Sequence, residues 1–189
     1  IAADCLRITA LSSRRRSTVI PIYGICGDSG EGKTRLVSAV LAATKQHNRS
    51  TRGVFCPAVF KGGSKIAIEV RLVPGMQSRI LMRLAQPGDA HVFGKWNMDL
   101  ESIAWAREYL LDLQPADLWV IDEIGPLETE LGQGWAEILP LLPVLPAKKV
   151  LVSFRSSLRL WFLQHYPGIN ITSPGQPEAE AALLKSLIG

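Results

Sequence analysis

The chain has 189 residues, of which 47% are hydrophobic and 20% charged, and a formal net charge of +4. That is long enough for one domain with a buried core, and too ordinary in composition for a disordered, collagen-like or disulfide-stapled chain. No run approaches the ~18 uninterrupted apolar residues of a membrane helix, because the most apolar stretch, Ile138 to Pro146, is cut by Pro140, Pro143 and Pro146.

Cys5, Cys26 and Cys56 are odd in number and form no C-x-x-C pair, which argues against a disulfide framework and favours a reducing, cytoplasmic setting. His47, His91 and His165 are scattered without the spacing of a zinc site. The one basic run, Arg14-Arg15-Arg16, reads as a solvated lead-in. A nucleic-acid partner would call for a longer basic face with interleaved aromatics. No signal-peptide pattern is visible, and the start at Ile1 rather than Met leaves room for a larger parent protein. Residues 1–17 are expected to be a flexible lead-in and 18–189 a single domain. Nothing in the chain speaks to oligomeric state.

In chain order, Thr18 to Cys26 reads as a short buried strand, with Pro21 suggesting a start near a sheet edge. A helix follows from Lys33 to about Gln46, where Leu36, Val37, Val40 and Leu41 recur at helical spacing. Gly53–Phe60 and Lys65–Val73 read as strands joined by a turn at Lys61-Gly62-Gly63-Ser64, and Ile80–Leu84 as another short strand. Asp99 is the N-cap of a helix running through Ile103, Ala106, Leu110 and Leu113. Leu118–Ile121 is a continuous apolar strand that ends in Asp122-Glu123. A short helix is expected around Gly134–Leu142, a strand over Lys149–Phe154 and a helix over Ser156–His165. A brief strand over Ile169–Ile171 and a closing helix over Pro177–Ile188 complete the chain. Strands alternating with helices imply an α/β domain, a mostly parallel sheet with helices on both faces and an inserted antiparallel β-hairpin.

Between the first strand and the first helix lies Gly27-Asp-Ser-Gly-Glu-Gly-Lys33-Thr34, the G-x-x-x-x-G-K-[ST] pattern of a phosphate-cradling loop. Gly27, Gly30 and Gly32 let the backbone turn its N–H groups onto phosphate oxygens, and the helix start adds a positive dipole end. Asp28, Ser29, Glu31 and Arg35 share that loop and its exit. Lys33 is placed to reach the β- and γ-phosphates, and Thr34 to put its hydroxyl on Mg²⁺. Such a metal also needs a carboxylate at the end of a buried strand, and Asp122 stands there about 90 residues later. Glu123, one step further, is a carboxylate that can orient or deprotonate an attacking water. Asp-Glu thus points to hydrolysis more than to sensing. On residues alone, a phosphotransferase using the same loop and a nucleotide-responsive module of a larger protein both stay open.

The segment Asp122-Glu-Ile-Gly-Pro-Leu-Glu128 resembles the Asp-Glu-Ile-Gly-x-Met-Glu signature of the THEP-type nucleoside-triphosphatase family. These are small P-loop NTPases first described from thermophiles, and their animal relatives are called cancer-related nucleoside-triphosphatase. Gly53-Val-Phe55 opening a hairpin, Gly94-Lys-Trp-Asn-Met-Asp99 leading into the middle helix, and Ile169-Asn-Ile-Thr172 before a final helix are similar to the family's order. The likeness covers about residues 19–188. It implies a RecA-like sheet, Mg²⁺-dependent hydrolysis of ATP, GTP and other nucleoside triphosphates to diphosphate and phosphate, loose base choice and slow turnover. Two departures stand out. Cys56-Pro57-Ala58 replaces polar and acidic residues early in the hairpin, and Ser153-Phe154-Arg155 stands where the family tends to have Thr and apolar residues. Ser153 can still serve as the polar group that senses the γ-phosphate. Arg155 and Arg159 are candidates for an arginine supplied to the transition state, which can be worth ~10³–10⁵ in rate. Trp96 and His91 can line the base or join the core. Lys61 and Lys65 are expected to be solvated, and Glu128 either supports the site or caps the next segment.

Overall fold

The computed structural model describes residues 20–75 and 77–189; the lead-in 1–17, with Arg14–Arg16 and Cys5, lies outside them. The phosphate loop joins β1 (Ile22–Cys26) to α1 (Lys33–Gln46). Then come β2 (Thr51–Phe55), β3 (Ala58–Lys61), β4 (Ser64–Val73), β5 (Ser78–Leu84), β6 (Val92–Phe93), β7 (Trp96–Met98) and α2 (Leu100–Leu111). The second half holds β8 (Ala116–Ile124), α3 (Pro126–Thr129), a 3₁₀ segment (Ala136–Val144), β9 (Ala147–Phe154), α4 (Arg159–His165), β10 (Asn170–Thr172) and α5 (Pro177–Ile188).

All ten described strands form one sheet, in the order β10-β1-β9-β8-β2-β4-β5-β7-β6 with β3 on β4. From β10 to β2 every neighbour is parallel, and from β2 outward every ladder is antiparallel. The parallel half is the expected RecA-like core. The inserted part is larger than one hairpin, since β5, β6 and β7 extend it.

Side chains alternate across a strand, and β8 and β9 bury both sides. Trp119, Ile121, Val150, Val152 and Phe154 face a core shared with α2, the 3₁₀ segment and α4. Leu118, Val120 and Leu151 face a second core built by Leu36, Val37 and Val40 of α1 and Leu183 and Leu187 of α5. Helices therefore cover both faces, which is why these strands read as unbroken apolar runs.

Several boundaries differ from expectation. The single strand over Gly53–Phe60 breaks at Cys56-Pro57, because proline lacks the N–H a ladder needs; β3 resumes on β4 alone. Pro21 sits just outside β1, which lies inside the sheet between β9 and β10. The helix expected near Gly134–Leu142 is the 3₁₀ segment, with Pro140 and Pro143 inside it, since each proline removes a backbone donor. A 3₁₀ turn at Ser156–Leu158 precedes α4. The Gly62-Gly63 turn holds, with φ of 56° and 79°, both in the left-handed region of a tight mirror-image hairpin turn. Asp99 caps α2 by accepting from the Ser102 N–H at 2.8 Å.

Gly53 shows how closely β2, the strand that leads into the insert, is pressed onto β8. Its φ is 130°, and a Cβ there would lie 1.8 Å from the Val120 carbonyl oxygen of β8. Gly53→Ala is therefore expected to lower stability by about 3 kcal/mol, read as an earlier midpoint in urea unfolding. An unchanged midpoint would show that β2 and β8 can part at no cost.

Candidate active site

The loop between β1 and α1 is held from several sides. Gly30 and Gly32 take φ of 91° and 96°, and the Gly27 N–H donates to the Phe154 carbonyl at 3.2 Å. Glu31 folds back to accept from the Asp28 N–H at 2.7 Å. The Ser156 hydroxyl, just past β9, donates to the Asp28 carboxylate. Lys33 is 4% exposed. Its ammonium donates to the Asp28 carbonyl at 3.0 Å and lies 3.4 Å from Glu123 Oε1.

Strand β8 delivers Asp122 and Glu123 to the same end of the sheet. Asp122 has no solvent exposure. Its Oδ1 accepts from the Ser153 hydroxyl on β9 and its Oδ2 from the Cys56 N–H at 3.0 Å. Burial pushes the Asp122 carboxyl up to about 6, although both hydrogen bonds pull it down. Glu123 Oε1 is buried and in no hydrogen bond, while Lys33 Nζ and Arg155 Nε lie 3.4 and 3.5 Å away. A carboxylate oxygen between two cations and free of hydrogen bonds keeps lone pairs to accept from a water.

Oxygen donors suit Mg²⁺. Asp122 fits that demand, since each of its oxygens accepts one bond and keeps a further lone pair. Thr34 opens onto the cavity that Glu123 lines. Among the described residues no cluster of three His, Cys, Asp or Glu side chains is shaped for a metal.

That cavity, about 390 Å³, extends from Ser29 and Thr34 past Glu123 and Arg155 and under the antiparallel insert. Lys65 lines it rather than standing in solvent, and burial lowers its ammonium from the usual 10.5. Trp96 also lines it, whereas His91 opens onto a separate depression beside α2. Arg35 turns the other way and pairs with Glu180 of α5 at 2.8 Å. Arg159 is exposed at the start of α4. The Cys56 thiol faces the cavity, but burial and the Asp122 charge hold it well above its usual range and keep it protonated.

Glu128 lies beneath this site, 6% exposed. Its Oε2 accepts from the Gly125 N–H at 2.9 Å, fixing the turn that follows Glu123. Gly134 makes room for it, since a Cβ there would sit 2.1 Å from Glu128 Oε1. Trp135, also on the cavity wall, has a buried Nε1–H without an acceptor. Glu128 was visible in the sequence only as a signature position, and Trp135 gave no signal there.

A glycine loop from strand to helix, a buried Asp122 and half-buried Glu123 at the end of a parallel strand, and β9 carrying Ser153 between them define a P-loop α/β protein. The chain belongs to the NTPase family, whose model matches residues 22–166, and its relatives are nucleoside-triphosphatases of the THEP type. It is 28% identical over 108 residues to nucleoside-triphosphatase THEP1 of Saccharolobus solfataricus, covering 57% of this chain and 61% of that one. To nucleoside-triphosphatase THEP1 of Thermococcus kodakarensis it is 30% identical over 137 residues, covering 66% and 75%. For the Saccharolobus protein and its Caldivirga maquilingensis counterpart, the chain spans about three-fifths of the relative's length, 61% and 58%. The fold matches the solution structure of a human cancer-related nucleoside triphosphatase, with a TM-score of 0.67, 20% identity and 89% and 95% of the two chains covered. It also matches the crystal structure of THEP1 from Aquifex aeolicus, with a TM-score of 0.65, 15% identity and 88% and 96% covered.

Burial pushes the Glu128 carboxyl up to about 7, the nearby Glu123 charge adds to this, and the Gly125 N–H opposes it. The fold thus holds a proton that the unfolded chain, at the usual 4.5, has already released. This contribution is largest below pH 4.5 and is lost as pH rises through about 7, by up to about 3 kcal/mol. Glu128→Gln keeps an acceptor for Gly125 and is expected to flatten this slope in urea unfolding at pH 5 and pH 8. If wild type and variant keep the same slope, the proton resides elsewhere.

Proposed function

We propose that this chain is a Mg²⁺-dependent nucleoside-triphosphatase that hydrolyses nucleoside triphosphates, ATP and GTP among them, to diphosphate and phosphate. The observation that carries the reading is the buried, hydrogen-bond-free Glu123 Oε1 set between Lys33 and Arg155. Backbone N–H groups of Ser29, Gly30 and Gly32 and the start of α1 bind the phosphates. Lys33 leaves Glu123 for the β- and γ-phosphates as they arrive, and Glu123 then holds the attacking water. Water oxygen bonds to the γ-phosphorus, the bond to the bridging oxygen breaks, the diphosphate departs and Glu123 takes up the proton.

Thr34 and Asp122 would hold the metal, which when bound neutralises charge on the phosphate oxygens. Ser153 keeps the Asp122 carboxylate in place from β9, and through it senses whether the metal and γ-phosphate are seated. Arg155, already beside Glu123, supplies positive charge to the transferring group. Arg35 and Glu31 support the loop rather than the reacting phosphate, given their bonds to Glu180 and Asp28. Cys26 and Cys56 are buried free thiols, which is consistent with a cytoplasmic location. Among the described residues no helix is long and apolar enough to cross a membrane.

Phosphate release from ATP, GTP, CTP and UTP with Mg²⁺, beside nucleotide binding, tests this. Glu123→Gln is expected to cut turnover by about 10²-fold or more while binding persists. Undiminished turnover in the variant would remove Glu123 from the chemistry, and a wild type that binds but releases no phosphate would end the hydrolytic reading.

A further inference from the structure

A single attacking water occupies about 30 Å³, yet the cavity that opens beside Glu123 is about 390 Å³, the size of a site for a small organic molecule. Much of its wall is apolar, supplied by Ile68, Leu81, Met82, Phe93 and Trp135. Glu123 and Thr34 mark the γ-phosphate end of a bound triphosphate, so this space lies on the attacking side of that phosphate and away from the nucleotide's base. Hydrolysis uses the end lined by Ser29, Thr34 and Glu123, but not the apolar part beneath the insert.

Its charges are unbalanced. The Lys65 and Lys95 ammonium groups each lie 5.3 Å from the centre of the Trp96 ring, and among the described residues neither has a carboxylate within ion-pair distance. Glu123 is already matched by Lys33 and Arg155, and Glu128 is held by Gly125. Two cations beside one indole attract an anion, and the apolar wall suits an aromatic ring.

We propose that this cavity binds a small aromatic anion, seated on the Lys65–Trp96–Lys95 wall, and that its occupant shuts out the water Glu123 positions. The binding half stands on the cavity alone; the water-exclusion half rests on the hydrolytic reading above. The occupant is then an inhibitor that leaves nucleotide affinity untouched.

The probe is 8-anilinonaphthalene-1-sulfonate, titrated into the full chain by fluorescence without nucleotide. One saturable site is expected, weakened about ten-fold or more in Lys65→Glu and in Trp96→Ala. Phe60→Ser, on the exposed outer surface of the same insert, should leave it unchanged, and adenosine should not displace the probe. With ATP and Mg²⁺ the probe should lower kcat while the Kd of a non-hydrolysable analogue stays constant. Non-saturable binding, equal binding by Lys65→Glu, loss in Phe60→Ser, or displacement by adenosine each overturns the site. A saturable site with undiminished kcat overturns the exclusion of water. The binding arm decides the site even if the wild type proves to have no turnover.

Discussion

A carboxylate cut off from solvent has to be satisfied from within, and much of this molecule is organised around satisfying Asp122. Its two oxygens take their hydrogen bonds from different directions, one from Ser153 on β9 and one from the Cys56 N–H where β2 ends. Three neighbouring strands thus converge on a single side chain. Those bonds hold the carboxylate partly ionisable in a place where burial alone would keep it protonated. They also fix where β2 stops and the antiparallel insert begins, which sets the roof of the cavity in front of Glu123. Removing either donor would leave an unpaired buried group rather than an empty space.

From that point the geometry spreads outward in two directions. Toward the loop, Lys33 bridges Asp28 and Glu123, so the phosphate site is internally neutralised before anything binds. Toward the insert, Glu128 secures Gly125, and the turn after Glu123 cannot drift. The glutamate at the centre stands between the cations of Lys33 and Arg155.

Much of this was legible in the chain. The loop Gly27–Thr34 and the pair Asp122-Glu123 announce themselves because phosphate binding demands particular residue types at fixed spacing. The two-sided burial of β8 and β9 shows as unbroken apolar runs. What could not be read depends on contacts between distant segments. Lys65 looks like a solvated hairpin lysine until β7 brings Trp96 over it, and the pairing of Arg35 with Glu180 needs α5, 145 residues further along. Strands as short as β6 and β7 carry too few residues for a period to emerge. The prolines of the 3₁₀ segment were plain in the sequence, but not that the chain would keep turning through them.

The family match ends at residue 166, and β10 and α5 lie beyond it. Yet β10 pairs with β1, the strand that feeds the phosphate loop, and Leu183 and Leu187 of α5 lie against α1 in the second core. Arg35, immediately after Thr34, is anchored to that same helix. A fragment trimmed to the recognisable portion would bare one side of α1 and unpair an edge of β1. The limit of the family model and that of the folding unit do not coincide here, and the last two dozen residues hold the loop in shape.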